Sequence, residues 1–256
     1  MTTGVLRKSS TYLAMIGLIL LGLPSAAPAT PRITALKLKA APIPGFPGTG
    51  NFLGAGAAIE GQVKISGTEY GGFPSPLTGI NFYAPAGAKL QPRGFATCSP
   101  RVIEQSGPRR CPKQSVAGPV GHAVGVVSFG GERVPETASV QPFFAPDDKL
   151  VVFVDGTTPV SLEILAAGHV VSSSPPFGVE FIGEVPLIET VPEAPDASFV
   201  EGAVEIGAAY KQGKKTVSYI TLPKSCPKHG WSTKAEFHFL GGATAEASYP
   251  MPCPQR

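Results

Sequence analysis

Along most of this chain apolar and polar residues alternate with a period of two, the spacing of a β-strand with one buried and one wet face. In Ala57–Ser66, Ile59, Val63 and Ile65 share one face, and Glu60, Gln62 and Lys64 share the other. In Trp231–Leu240, Trp231, Thr233, Ala235, Phe237 and Phe239 alternate with Ser232, Lys234, Glu236 and His238. That pattern predicts buried aromatics and an exposed His238. Further strands are predicted at Ile33–Ala40, Thr78–Tyr83, Val160–Leu165, Val179–Val185, Val200–Ala208, Thr216–Leu222 and Thr244–Tyr249. Val120–Phe129 and Leu150–Val154 are apolar on both faces, which predicts central strands. Beyond the N-terminus no segment sustains the i, i+3, i+4, i+7 spacing of an amphipathic helix. The reading is an all-β protein with almost no helix. About a dozen short strands would form an antiparallel, jelly-roll-like β-sandwich.

Composition sharpens this picture in one respect. The 256 residues include 31 Gly and 28 Pro, yet 43% are apolar. A core is therefore affordable, and the Gly and Pro read as turns between strands rather than as disorder. At the N-terminus, Arg7 and Lys8 precede an apolar run, Tyr12–Leu23, which is shorter than the roughly 20 residues a membrane span needs. With the small residues of Ala27-Pro28-Ala29 after it, the run reads as a signal peptide over residues 1–29. Residues 30–256 would then be one secreted, extracellular domain, expected to be monomeric and to have no membrane segment. The alternative is two β-subdomains split at Ser172–Phe177 (SSSPPF).

Four cysteines in an exported chain imply disulfides. Ser106-Gly107-Pro108 can reverse the chain between Cys98 and Cys111. The Gly241-Gly242 turn brings Cys226 and Cys253 to the same open end of a hairpin. The expected pairs are therefore Cys98–Cys111 and Cys226–Cys253. Cys226-Pro227-Lys228-His229 has a C-x2-H spacing, with His238 downstream, but pairing the cysteines removes both thiolates. No metal or cofactor is expected.

Charge is segregated along the chain. Lys89–Lys113 holds six basic residues against Glu104, whereas Val151–Tyr210 holds nine acids and no Lys or Arg. Basic and acidic strands could neutralise one another across the sheet, or the basic 89–113 segment could meet an anionic envelope polymer. A formal net charge of +3 is too small for nucleic-acid binding.

Catalytic signals are lacking. There is no G-x-S-x-G turn, and Ser128 in VVSFGG lacks the flanking glycine. His122, on one face with Val120, Val124 and Val126, reads as a buried histidine bonded to backbone. Glu180 and Glu184 share a face, but four residues of strand span about 13 Å. A glycosidase carboxylate pair stands about 5 to 10 Å apart. Trp231 reads as a core or rim residue beside Cys226 rather than a sugar platform. No catalytic or cofactor-binding residue is assigned.

Several motifs carry a resemblance: GGFPSPLTGINFYAPAGAKL, the CP-x-x-S-x-x-G turn from Cys111 to Gly118, VPLIETVPEAPDAS, and a lysine-rich strand before the last two cysteines. The chain resembles a group of secreted β-rich proteins of soil actinobacteria with no known activity. The resemblance implies export and a β-fold, and transfers no catalytic residue. The expected role is an extracellular binding or structural protein of the cell surface or medium. The alternative is a secreted hydrolase acting on an envelope or environmental polymer with acids from different strands.

Overall fold

The alternating stretch that begins at Trp231 folds as its pattern dictates. In the computed structural model its burial alternates residue by residue, with Trp231, Thr233, Ala235, Phe237 and Phe239 buried and the residues between them at least partly exposed. The structure describes residues 30–190 and 192–254; the expected signal peptide, 1–29, lies outside the described residues.

Among the described residues fifteen strands follow one another: β1 (Arg32–Ala41), β2 (Gly56–Ser66), β3 (Leu77–Pro85), β4 (Lys89–Leu90), β5 (Gly121–Phe129), β6 (Glu132–Phe144), β7 (Leu150–Thr158), β8 (Leu162–Ser172), β9 (Phe177–Glu184), β10 (Ser198–Ile206), β11 (Ala209–Gln212), β12 (Lys215–Ser218), β13 (Ile220–Thr221), β14 (Trp231–Phe239) and β15 (Thr244–Met251). Thirteen form one sheet, and β11 and β12 pair separately. The long strands lie in the order β15-β14-β3-β9-β8-β7-β6-β5-β10-β2, with β1 on the free side of β2. Every pairing is antiparallel. The all-β, antiparallel fold read from the sequence is what the chain adopts.

The sheet rolls until its two ends lie side by side. β1 runs beside β15 although each takes its ladder hydrogen bonds from another strand. Leu38 on β1 packs in one cluster with Trp231 and Met251 of β14 and β15. Ile65 of β2 and Phe199 of β10 pack against Leu77 and Phe237 of β3 and β14. The face-to-face packing expected of a sandwich is thus achieved within one hydrogen-bonded sheet, rolled so that facing walls meet. Ser172–Phe177, the rival boundary, is the turn of the β8–β9 hairpin, paired on both sides.

β6 is the longest strand, and its sequence does not advertise it. Pro135 and Pro142 interrupt it, and proline within a run argues against a central strand. Both nevertheless sit in the ladder, opposite Val126 on β5 and Val152 on β7. A proline forfeits only its own N–H, and the strand keeps its other bonds.

Among the described residues there is one α-helix, α1 (Pro100–Ser106), which was not expected. It has Ser99 as N-cap, accepting from the Val102 N–H, and Pro100 in the first turn, and Gly107 ends it at φ 76°. Its single buried residue, Ile103, packs on Phe143, Val151 and Phe153, which face outward from β6 and β7. The Cys98–Cys111 disulfide, Cα–Cα 5.3 Å, clasps this cap, and the Cys98 N–H donates to the Phe144 carbonyl. Cap and clasp explain how β7 can be apolar on both faces. The second disulfide joins Cys226 to Cys253, Cα–Cα 6.0 Å. It ties the segment before β14 to the segment after β15, as the hairpin geometry requires.

Candidate functional site

Rolling the sheet leaves space inside it. A cavity of about 420 Å³ is walled by residues from twelve strands. Its lining is almost wholly aliphatic and aromatic, including Leu36, Val63, Val152, Ile164, Phe181 and Val204. These are the inward members of each alternating pattern, yet they are only partly buried. On β8, Leu162, Ile164, Ala166 and Val170 all point inward and all keep accessible surface. Side chains meeting a packed core would not. This is a void walled with apolar groups, the usual make-up of a small-molecule site.

One end of the cavity is plugged. Phe144, Leu150, Tyr219 and Ile220 are buried there, with Phe95 stacked 4.5 Å from the Phe144 ring and edge-on to Tyr219. The buried Tyr219 hydroxyl is pushed well above its ordinary pKa, first by burial and then by Asp148. At the opposite end the β9–β10 connection lies over the opening, with Val185, Ile188 and Ala197 among the lining residues. It is held to neighbouring segments by two bonds: the Thr190 hydroxyl donates to the Ser128 carbonyl, and the Asp196 N–H donates to the Tyr70 hydroxyl at 3.2 Å.

Glu136 is the inward-facing charge. It is 2% exposed, and its two carboxylate oxygens accept the Thr158 and Val160 N–H groups at 2.9 and 3.1 Å. A Cβ at Gly156 would come within 2.7 Å of this carboxylate, so glycine there leaves room for Glu136 to reach the β7–β8 turn. Sequence reading missed Glu136 because it missed β6. Its signal, an acid in register with Ala138 and Val140, was visible only once the strand was known.

Outside, the sheet is polar. Lys39 pairs with Glu60, and Lys64 with Glu201, across β1, β2 and β10. On β9, β3 and β14, Asn81 donates to Glu180, Tyr83 donates to Glu236 at 2.8 Å, and Lys234 lies 2.7 Å from Glu236. Burial, then hydrogen bonds to Glu236 and Glu180, push the Tyr83 hydroxyl up to about 12. Lys234 and Tyr83 together hold the Glu236 carboxyl below the ordinary carboxylate range. This is where carboxylates from different strands draw together, on the outer face and away from the cavity, with Glu236 committed to a lysine. An apolar lumen inside a charged exterior is the inverse of a membrane-spanning barrel. Among the described residues no helix is long and apolar enough to cross a membrane.

The other residues singled out in the sequence fall apart in space. His122 lies on the outer face and is exposed, not buried as expected. Ser128 is buried without a histidine partner. His229 is exposed beside the Cys226–Cys253 disulfide, and His238 is half-exposed on β14. Among the described residues no group of three His, Cys, Asp or Glu side chains could hold a metal ion. Trp231 is 2% exposed, in the core beside Cys226, and its indole N–H donates to the Ser225 carbonyl at 2.9 Å.

Charge is mixed at both ends of the roll. Asp148 acts on the buried Tyr219 at the plug. Arg133 lies 5.1 Å from the Tyr70 ring, whose hydroxyl accepts from the β9–β10 connection that bears Glu189 and Asp196.

Comparison of the chain with family models, with curated proteins and with solved structures gave no match in any of the three.

Proposed function

We propose that this protein is a secreted, extracellular binding protein that holds a small apolar molecule inside its rolled sheet. The observation that carries this reading is the cavity of about 420 Å³, within the roughly 300–1,000 Å³ of ligand pockets. Its walls are aliphatic side chains left partly bare. Bare apolar surface costs roughly 25 cal/mol per Å², and an apolar occupant recovers that cost. Two disulfides accord with the oxidising compartment to which the N-terminal apolar run would direct the chain.

The test is occupancy. Protein recovered from culture medium and sprayed under native conditions should carry mass beyond its polypeptide. After removal of that mass it should brighten the neutral fluorophore N-phenyl-1-naphthylamine. Ala166→Phe, which puts a ring into the void, should abolish the brightening without lowering the melting temperature. A wild-type chain that neither carries added mass nor brightens the probe would sink the reading.

A further inference from the structure

We infer that the occupant is a linear hydrocarbon chain without an anionic head group. This inference rests on the binding reading above and narrows it by shape and by charge.

Shape comes first. Leu162 and Val170 both line the cavity and stand eight residues apart on β8, so it extends about 26 Å along the strand. A sphere of 420 Å³ would be only about 9 Å across, so the space is a slot. Phe181 narrows it toward the plugged end. Its ring lies over Gly168 and Gly183, where any Cβ would collide with it. Those two glycines let an aromatic ring lie against the inner wall near the plug, whose residues Phe181 also packs against. A flexible chain threads past that ring to use the full length, whereas a rigid fused-ring molecule is stopped short of the plug.

Charge comes second. No Lys or Arg is among the residues that wall the cavity. Of the two carboxylate residues that wall it, Glu136 has both oxygens occupied by backbone amides and Glu184 is exposed at the end of β9. The connection over the open end brings Glu189 and Asp196, bridged to each other, next to the lining residues Ile188 and Ala197. An anionic head inside would be a buried charge without a partner, which costs several kcal/mol. At the opening it would meet carboxylates, since Arg133 there is held against the Tyr70 and Phe73 rings and the Ser198 hydroxyl. A neutral ester, alcohol or hydrocarbon pays neither cost.

The experiment is competition. Delipidated full-length secreted protein is loaded with N-phenyl-1-naphthylamine at pH 8, then titrated with methyl palmitate, palmitate and cholesterol. Methyl palmitate should displace the probe at a concentration at least about tenfold below that of palmitate, the minimum expected of an unpartnered charge. Cholesterol should not displace it from the wild type but should from Phe181→Ala, whose fold is checked by circular dichroism. Palmitate matching methyl palmitate overturns the charge argument, and cholesterol competing equally in the wild type overturns the shape argument. A bound probe that none of the three displaces overturns the whole inference while the binding reading stands. No probe binding at all overturns the binding reading itself. Should Phe181→Ala fail to fold, the wild-type competition alone decides.

Discussion

β14 and β8 are built on the same alternation and meet different fates. On β14 every inward residue from Trp231 to Phe239 is closed off from solvent, and Phe237 is 2% exposed among Leu77, Ile65 and Phe239. On β8 the inward residues Leu162, Ile164, Ala166 and Val170 stay half-exposed along the cavity. Side-chain size accounts for part of the difference. β14 sends in two phenylalanines and a tryptophan, whereas β8 sends in aliphatic residues, an alanine and a glycine. Position accounts for the rest, since β14 and β15 lie beside β1, against which they pack directly. β14 closes its inward side chains into a packed core even where Ala235 and Phe237 border the cavity, whereas β8 is cavity wall along its length.

The sharpest way to break this comparison is to truncate one residue on each side. Phe237→Ala should cost about 3–5 kcal/mol in urea unfolding, the usual range for a buried aromatic. Ile164→Ala removes a side chain that already faces space and should cost about 1 kcal/mol. Equal losses would mean that the two strands are packed alike.

The disulfides rank next. On the loop-entropy model a separation of 27 residues gives about 3.5 kcal/mol for Cys226–Cys253, and one of 13 gives about 3 kcal/mol for Cys98–Cys111. Cys226→Ser should therefore lower the non-reducing melting temperature more than Cys98→Ser, because it also frees the strand pair that meets β1. The reverse order would place the weaker region under the helix cap.

A mirrored enlargement has a smaller effect and a clearer sign. Ala57→Phe forces a ring into the packed cluster of Leu38, Trp231 and Met251 and should destabilise by about 1–3 kcal/mol. Ala166→Phe on β8 should be neutral or mildly stabilising in the same thermal scan, and a comparable loss there would mean that the void is not available.

The smallest effect belongs to the outer face. Glu205 lies directly opposite Glu60 across β10 and β2, and one of its oxygens is buried without a partner. Burial first, then Glu60, pushes its carboxyl above the ordinary carboxylate range. A carboxyl raised on folding favours the native state while protonated, and that contribution is lost as pH rises through the folded value. Glu205→Gln should thus gain about 0.5 kcal/mol at pH 7, the scale of a like-charge cross-strand pair. The gain should fade below about pH 4, where the unfolded carboxyl is protonated too. A gain that persists unchanged at pH 3 would assign it to something other than charge.

These contrasts show where sequence reading ends. The period-two pattern foretold β14 down to its exposed and buried members, because alternation is a local property. Both disulfides were legible for the same reason, since each closes a short loop over an identifiable turn. β6 was not, because Pro135 and Pro142 speak against a strand locally and only the flanking β5 and β7 overrule them. The expectation of a buried His122 failed because the face it shares with Val124 and Val126 proved to be the outer one. Alternation cannot say which side is in. The cavity was illegible altogether. It depends on which strands face one another across the roll and on the sum of their side-chain volumes, and neither is written in any one segment. Glu136 and Phe181 became site residues only in that setting.

The second disulfide has a mechanical consequence. Cys226–Cys253 closes the β14–β15 hairpin at its open end, so a pull on the chain beyond Met251 is borne by a covalent bond and not by the ladder hydrogen bonds of β15. While that bond is intact, the strand pair that lies beside β1 cannot peel away from its C-terminal side.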